Sequence, residues 1–250
     1  MTTELSTPGF IRPDWPAPPN VHALVTLRRG GYSSGPYSSF NLAAHTDDDP
    51  VAVRRNRQLL SDCFQLPAEP VWLQQVHGST VVAAAADAVG ARSDGSWSDS
   101  PGQVCAVMTA DCLPVLVCDQ AGRKVAAAHA GWRGLHAGVI TSAIEQLQTD
   151  AAELLVWLGP AIGPQAFEVG GEVVRAFSEK NTLNEAAFRQ IGTRHWLCDL
   201  YRLARIELAS LGITAVYGGD YCTLTDAERF YSYRRDGVTG RMASLIWLAP

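Results

Sequence analysis

Between Val71 and Ala128 the chain passes through five short apolar runs split by polar or turn-forming residues, and this spacing narrows the architecture more than any other feature. Val71 to Gln75, Thr80 to Ala85, Val104 to Met108, Pro114 to Cys118 and Lys124 to Ala128 have strand length and are too short for core helices. Asp119-Gln-Ala-Gly122, between the last two, predicts a hairpin turn. Val21 to Leu27 and Leu154 to Leu158 add two strands. The C-terminal stretch reads as a strand at Phe230, a polar turn, and a closing strand from Arg241 to Trp247. Helical spacing of apolar residues marks Val51 to Phe64, Gly138 to Leu147, Gly170 to Phe177 and Trp196 to Leu211. Strands and helices do not alternate strictly, which favours an α+β fold with mixed sheets over a doubly wound parallel one.

A chain of 250 residues with 47% apolar and 18% charged residues can bury a sizeable core. No linker composition divides it, so we expect one catalytic domain over residues 21–250. Residues 1–20 carry Pro8, Pro13, Pro16, Pro18 and Pro19 and read as an extended arm. The net charge of −5 argues against a general nucleic-acid binder, because backbone phosphates demand a basic surface. The amino terminus lacks the basic start and apolar stretch of a secretory signal, and no apolar run is long enough to span a bilayer. A cytoplasmic location away from membranes is therefore expected. Six cysteines without CxxC pairs exclude a ribbon-type zinc site and a disulfide scaffold, and Cys105 and Cys118 read as small buried hydrophobes.

Chemistry concentrates in three blocks. Leu73-Gln-Gln-Val-His77-Gly ends one apolar run, Thr109-Ala-Asp111-Cys112-Leu-Pro interrupts another, and Ala128-His129-Ala-Gly-Trp-Arg133-Gly follows a third. Each histidine or cysteine alone reads as a packed residue. Together they form a two-histidine, one-cysteine set, and a strand-hairpin-strand between Cys112 and His129 would bring those two together. Arginines near these blocks, Arg28, Arg133, Arg234, Arg235 and Arg241, suit anion binding, with Arg133 foremost. Asp94 and Asp111 are candidate acids for a leaving group, or carboxylates that orient a histidine. Phe40, Tyr32 and Tyr233 could wall a planar ligand, Tyr233 being retained as a contact. Asn56 reads as a cap or turn residue.

In this order the three blocks resemble the YfiH-like family, whose members are variously called multicopper polyphenol oxidases, laccase-domain proteins, purine nucleoside phosphorylases and peptidoglycan editing factors. The resemblance implies a single domain with two sheets packed between helical layers. It also implies that His77, Cys112 and His129 are metal ligands and that Asn41 belongs to the site. We adopt zinc, with copper as the alternative. A thiolate and two neutral imidazoles leave Zn²⁺ one residual positive charge, enough to lower the pKa of a bound water towards ~7 or to hold a phosphate oxygen. The implied activity is phosphorolysis of adenosine, inosine or methylthioadenosine with phosphate, together with adenosine deamination. A copper polyphenol oxidase is one alternative. The six histidines include no His-x-His pair, which weakens a multicopper centre. A cysteine hydrolase that edits peptidoglycan precursors, with Cys112 as nucleophile, is the other. No protein partner is legible.

Overall fold

Alternation within the strands decides the layering. In a computed structural model that describes residues 8–250, the chain begins with β1 (Phe10–Ile11) and β2 (Val21–Thr26), then α1 (Pro50–Phe64), β3 (Val81–Ala83) and β4 (Gly95–Ser98). The central elements are β5 (Val104–Thr109), β6 (Leu113–Asp119), β7 (Val125–Ala130), α2 (Trp132–Ala137), α3 (Val139–Leu147) and β8 (Leu154–Leu158). There follow β9 (Glu168–Gly170), α4 (Gly171–Lys180), β10 (Phe188–Gln190), β11 (His195–Cys198), α5 (Leu200–Ser210), β12 (Val216–Gly218), α6 (Tyr233–Asp236) and β13 (Met242–Leu248). The first seven residues of the predicted arm lie outside the described residues.

Two main sheets form, one ordered β1-β2-β13-β5 and the other β12-β8-β6-β7-β4-β3, with a small third sheet β10-β11-β9. Most pairs are antiparallel, but β12 joins β8 and β3 joins β4 in parallel, so the larger sheet is mixed. In β6, Leu113, Val115 and Val117 face the helices α3 and α5, whereas Leu116 and Cys118 face the other sheet. In β5, Cys105 and Val107 meet them there, while Val104, Ala106 and Met108 point back towards Leu60 of α1. Helix, sheet, sheet and helix thus stack as four layers. This is the α+β arrangement of two sheets between helical layers expected above.

Local chemistry sets the element ends. Asp49 caps α1 by accepting the Val51 N–H at 2.8 Å, Pro50 occupies the first turn, and Gln65 closes the helix in the left-handed region; such a cap contributes about 1 kcal/mol. The predicted hairpin forms, with Asp119 Oδ1 accepting the N–H groups of Arg123 and Lys124 at 2.6 and 2.9 Å. Part of the arm packs rather than trailing free: Phe10 and Ile11 pair with Thr26 and Val25.

Three expectations need correction. Val71 to Gln75 makes only isolated bridges at Val71 and Gln74, because the Gln75 amide spans the Met108 N–H and carbonyl in place of a neighbouring strand. The helix expected from Trp196 starts at Leu200: His195–Cys198 is claimed by pairing with β10 and β9, and Asp199 caps the helix behind it. Phe230 and Tyr231 are fully buried but form no strand, and Ser232 instead caps α6 through the Arg235 N–H.

Candidate metal centre and active site

The β6–β7 hairpin brings the two central ligands together by register. Leu113 pairs with Ala130 and Pro114 with His129, so Cys112 emerges opposite Gly131. Gly131 is needed there: a Cβ would lie 2.8 Å from Cys112 Sγ and 3.3 Å from His77 Cδ2. His77 enters from the loop after Gln74, with a positive φ of 60°. One ligand atom from each of His77, Cys112 and His129 lies within 4.8 Å of the other two, and the two imidazole centroids are 4.8 Å apart. Tetrahedral bonds of about 2.3 Å to sulfur and about 2.0–2.1 Å to nitrogen put two ligands of one zinc about 3.3–3.6 Å apart. The donor set therefore fits a single ion after the side chains close in by up to about 1 Å.

Asp94 holds this geometry. It is fully buried, and each of its oxygens is used twice: Oδ1 takes His129 Nδ1 at 2.8 Å and the His77 N–H at 2.9 Å, and Oδ2 takes the N–H groups of Val76 and Gly78 at 3.2 and 2.6 Å. His129 is thereby turned so that Nε2 faces Cys112 and His77, the arrangement in which a carboxylate orients a metal-binding imidazole. Burial alone would push the Asp94 carboxyl up, but hydrogen bonds from His129, Gly78 and His77 outweigh it and hold it below the usual range. Asp94 is a carboxylate acceptor, which removes it as a candidate acid.

Without an ion the ligands form a charged pair. Burial pushes the Cys112 thiol up, yet the positive charge of His129 and hydrogen bonds to both histidines bring it down to about 6. Burial lowers His129, and the Cys112 thiolate and Asp94 raise it to about 9.

Asp111 also turns out to be an acceptor rather than an acid. Its φ is 90°, and its oxygens accept Thr223 Oγ1 at 2.6 Å and the Arg234 N–H at 2.7 Å, while its carbonyl accepts the Ile162 N–H. It fastens three distant segments around Cys112. Together they shape a hollow of about 230 Å³, floored by His77 and Cys112 and walled by Trp132, Ile162, Phe167 and Tyr233. Arg133 and Arg234 stand at its edge, Arg133 stacked 4.3 Å from the Trp132 ring centroid. A larger hollow, about 370 Å³, lies beneath the arm, and none of the three ligands lines it.

Other expected contacts lie elsewhere. Arg28 reaches the carbonyls of Ser38 and Ala227 and stacks on Tyr231. Arg235 spends its donors on Asp236 and on the carbonyls of Thr223, Leu224 and Phe230. Asn41 is fully buried and braces its own loop, accepting from Ala43 and Arg241 and donating to Thr46 and Asp48. Phe40 is core, and Tyr32 lies under Arg55. Asn56 is no cap: buried in the middle of α1, it joins the Tyr32 N–H, Ser33 and the Asn41 carbonyl, with Gly31 pressed against its Oδ1. Arg57, also in α1, donates to the Leu42 carbonyl and lies over Trp72. Sequence reasoning missed Ile162, Phe167 and Leu200 in the pocket. The Gly159-Pro break after a buried strand was the available signal, because loops at strand ends carry binding residues.

Residues 22–249 match the family described as multi-copper polyphenol oxidoreductase laccase. The chain belongs to this family. A protein of Pseudomonas aeruginosa named purine nucleoside phosphorylase is 55% identical, covering 96% of this chain and 98% of its own. The purine nucleoside phosphorylase YfiH of Escherichia coli is 53% identical over the same share of each. Among solved structures, a Neisseria meningitidis protein superposes with a TM-score of 0.93 at 50% identity, covering 96% of this chain and 99% of its own. YlmD from Geobacillus stearothermophilus gives 0.90 at 29% identity, covering 99% and 98%.

Proposed function

We propose that this protein is a zinc-dependent purine nucleoside phosphorylase that takes adenosine, inosine or methylthioadenosine with inorganic phosphate, and that the same site deaminates adenosine. The observation that carries this reading is the convergence of His77, Cys112 and the buried His129, the first two of which floor a hollow with aromatic walls and an arginine edge. The names of the full-length relatives support it. When bound, the ion supplies a Lewis acid at the pocket floor.

The chain's own groups do the rest. Phe167, Trp132 and Tyr233 offer flat apolar surface to a purine, and Ile162 closes the inner side. Arg133 and Arg234 supply guanidinium groups at the mouth. In phosphorolysis a phosphate oxygen bonds to C1′ of the ribose while the C1′–N bond breaks. The purine keeps the electron pair and takes a proton from the solvent-facing side, because Asp94 and Asp111 are both committed as acceptors. The multicopper chemistry in the family's description calls for further histidine centres. Among the described residues one group of three donors gathers, and His22, His136 and His195 are engaged with Trp247, Phe177 and Glu168 respectively.

A second reading draws on the Cys112–His129 pair, whose thiol sits at about 6 and could serve as a nucleophile without a metal. Chelation separates the two. Conversion of inosine and phosphate to hypoxanthine and ribose 1-phosphate should vanish on chelation and in His129→Ala. Turnover persisting in the pure His129→Ala variant rejects the phosphorylase reading. Activity that survives chelation but is lost on alkylation of Cys112 favours the hydrolase.

A further inference from the structure

Beside the triad, two loops far apart in sequence are locked together. Asn41 Oδ1 accepts the N–H of Ala43 at 3.1 Å and that of Arg241 at 2.9 Å, so residues 41–43 and 240–241 share one frame. Thr46 Oγ1 donates to the Ala43 carbonyl at 2.9 Å and closes the turn that carries His45. Behind it, Arg57 donates to the Leu42 carbonyl at 2.9 Å. His45 is reachable from solvent. Its imidazole is held below the usual range, first by partial burial and then by the positive charges of Arg241, Arg57 and His129.

Arg241 lies within electrostatic reach of the triad. Burial pushes its guanidinium down, and the negative charges of the Cys112 thiolate and Asp111 oppose this. Its Nη1 donates to the carbonyls of Thr239 and Gly240 at 2.8 and 3.0 Å, and among the described residues no acceptor takes its Nε or Nη2. Three of the carboxylates nearby are already hydrogen-bonded, while Asp47 and Asp49 of the loop that carries His45 are exposed. Asp111 accepts from Thr223 and Arg234, and Asp48, in the same loop as His45, accepts from Ser33 and Asn41. Glu69, which acts on Arg57, accepts Trp72 Nε1. The hydroxyl of Thr239, next to this corner, is buried without a partner. Like charges gathered in a half-buried corner repel one another, and an oxyanion relieves that repulsion while satisfying the open donors.

We propose that His45 and Arg241 form an oxyanion subsite beside the triad that receives inorganic phosphate. The role in turnover rests on the phosphorylase reading, whereas the binding does not. The guanidinium of Arg241 lies 5.9 Å from the centre of the Tyr233 ring, and Tyr233 lines the hollow assigned to the nucleoside. Phosphate at Arg241 therefore borders that hollow, as attack on C1′ requires. Arg133 and Arg234, on the wall of that hollow, are left to the nucleoside.

The test is calorimetric titration of the metal-containing protein with inorganic phosphate, alongside the phosphate and inosine KM values. His45→Gln and Arg241→Gln should each weaken phosphate binding and raise the phosphate KM by at least about tenfold, the scale of one charge-assisted hydrogen bond. The inosine KM should change much less. His45→Gln touches none of the loop's hydrogen bonds, so it remains informative where Arg241→Gln misfolds. Arg28→Gln, whose guanidinium serves carbonyls elsewhere, should leave phosphate binding unchanged. A wild-type protein that binds no phosphate, or variants that bind it as wild type does, would overturn the subsite. Phosphate binding that is lost in both variants, with no nucleoside cleaved by wild type, would uphold the subsite and remove the phosphorylase reading.

Discussion

The floor of the hollow and its wall are built differently. The floor is set by sheet register: β6 and β7 are hydrogen-bonded neighbours, Cys112 and His129 leave their ends, and one saturated carboxylate, Asp94, fixes His129 and the His77 loop together. Apart from Trp132 at the start of α2, the wall comes from segments spread between residues 162 and 234, and Asp111 is the residue that ties them to Cys112. A floor anchored in two strands tolerates little displacement. A wall hung on one carboxylate can move without disturbing it. Metal binding and nucleoside binding should therefore be separable by mutation.

The largest effect is expected at Asp94→Ala, which leaves His129 Nδ1 and three N–H groups without their acceptor. Metal affinity should fall about 10–100-fold. Stability should drop by several kcal/mol, at about 1–3 kcal/mol per buried unpaired group. Metal content after dialysis and thermal unfolding measure the two. Retention of a full equivalent of metal would show that the floor does not depend on this carboxylate.

Next comes Asp111→Ala, which should leave the metal content unchanged and raise the inosine KM by about tenfold as Arg234 and Thr223 lose their tie. The stability cost should be about 1–3 kcal/mol. Loss of metal in this variant would mean that wall and floor are one unit.

Proton release sharpens the comparison on the floor alone. In metal-free protein, Cys112 is depressed to about 6 and His129 raised to about 9. The stabilisation from Cys112 is present above its unfolded value and lost as pH falls through about 6. That from His129 is present below its unfolded value and lost as pH rises through about 9. Between these limits the thiol is already ionised and the imidazole still protonated. Zinc binding near pH 7.5 should then release about one proton from this pair, read from the buffer dependence of the binding enthalpy. Release of two would show that the thiol is protonated before the metal arrives.

Arg28→Ala should do least. It removes carbonyl contacts and a cation–π stack at a distance from the hollow, costing up to about 1 kcal/mol. The inosine KM should not change.

The same division separates what the sequence disclosed from what it concealed. The central strands were legible because alternation is local, and the hairpin turn because Asp119 and Gly122 are local signals. Cys112 and His129 were legible as partners because a hairpin is the shortest way to join two strands. The roles of Asp94 and Asp111 were not, since whether a carboxylate is an acid or an acceptor depends on donors up to 123 residues away. Arg28 and Arg235 looked like anion ligands because sequence records a charge but not the carbonyls that absorb it. Asn56 looked like a cap because its partners lie 15 to 24 residues away, in another loop.

The central claim is that three side chains from separate strands and loops hold one ion at the floor of the hollow. Anomalous diffraction at the zinc edge, from crystals of protein prepared without added metal, tests this directly. The account predicts one peak, bonded to Cys112 Sγ, to His129 through Nε2, and to His77. A peak elsewhere, several copper peaks, or fully metallated protein with these three side chains unbonded would contradict it.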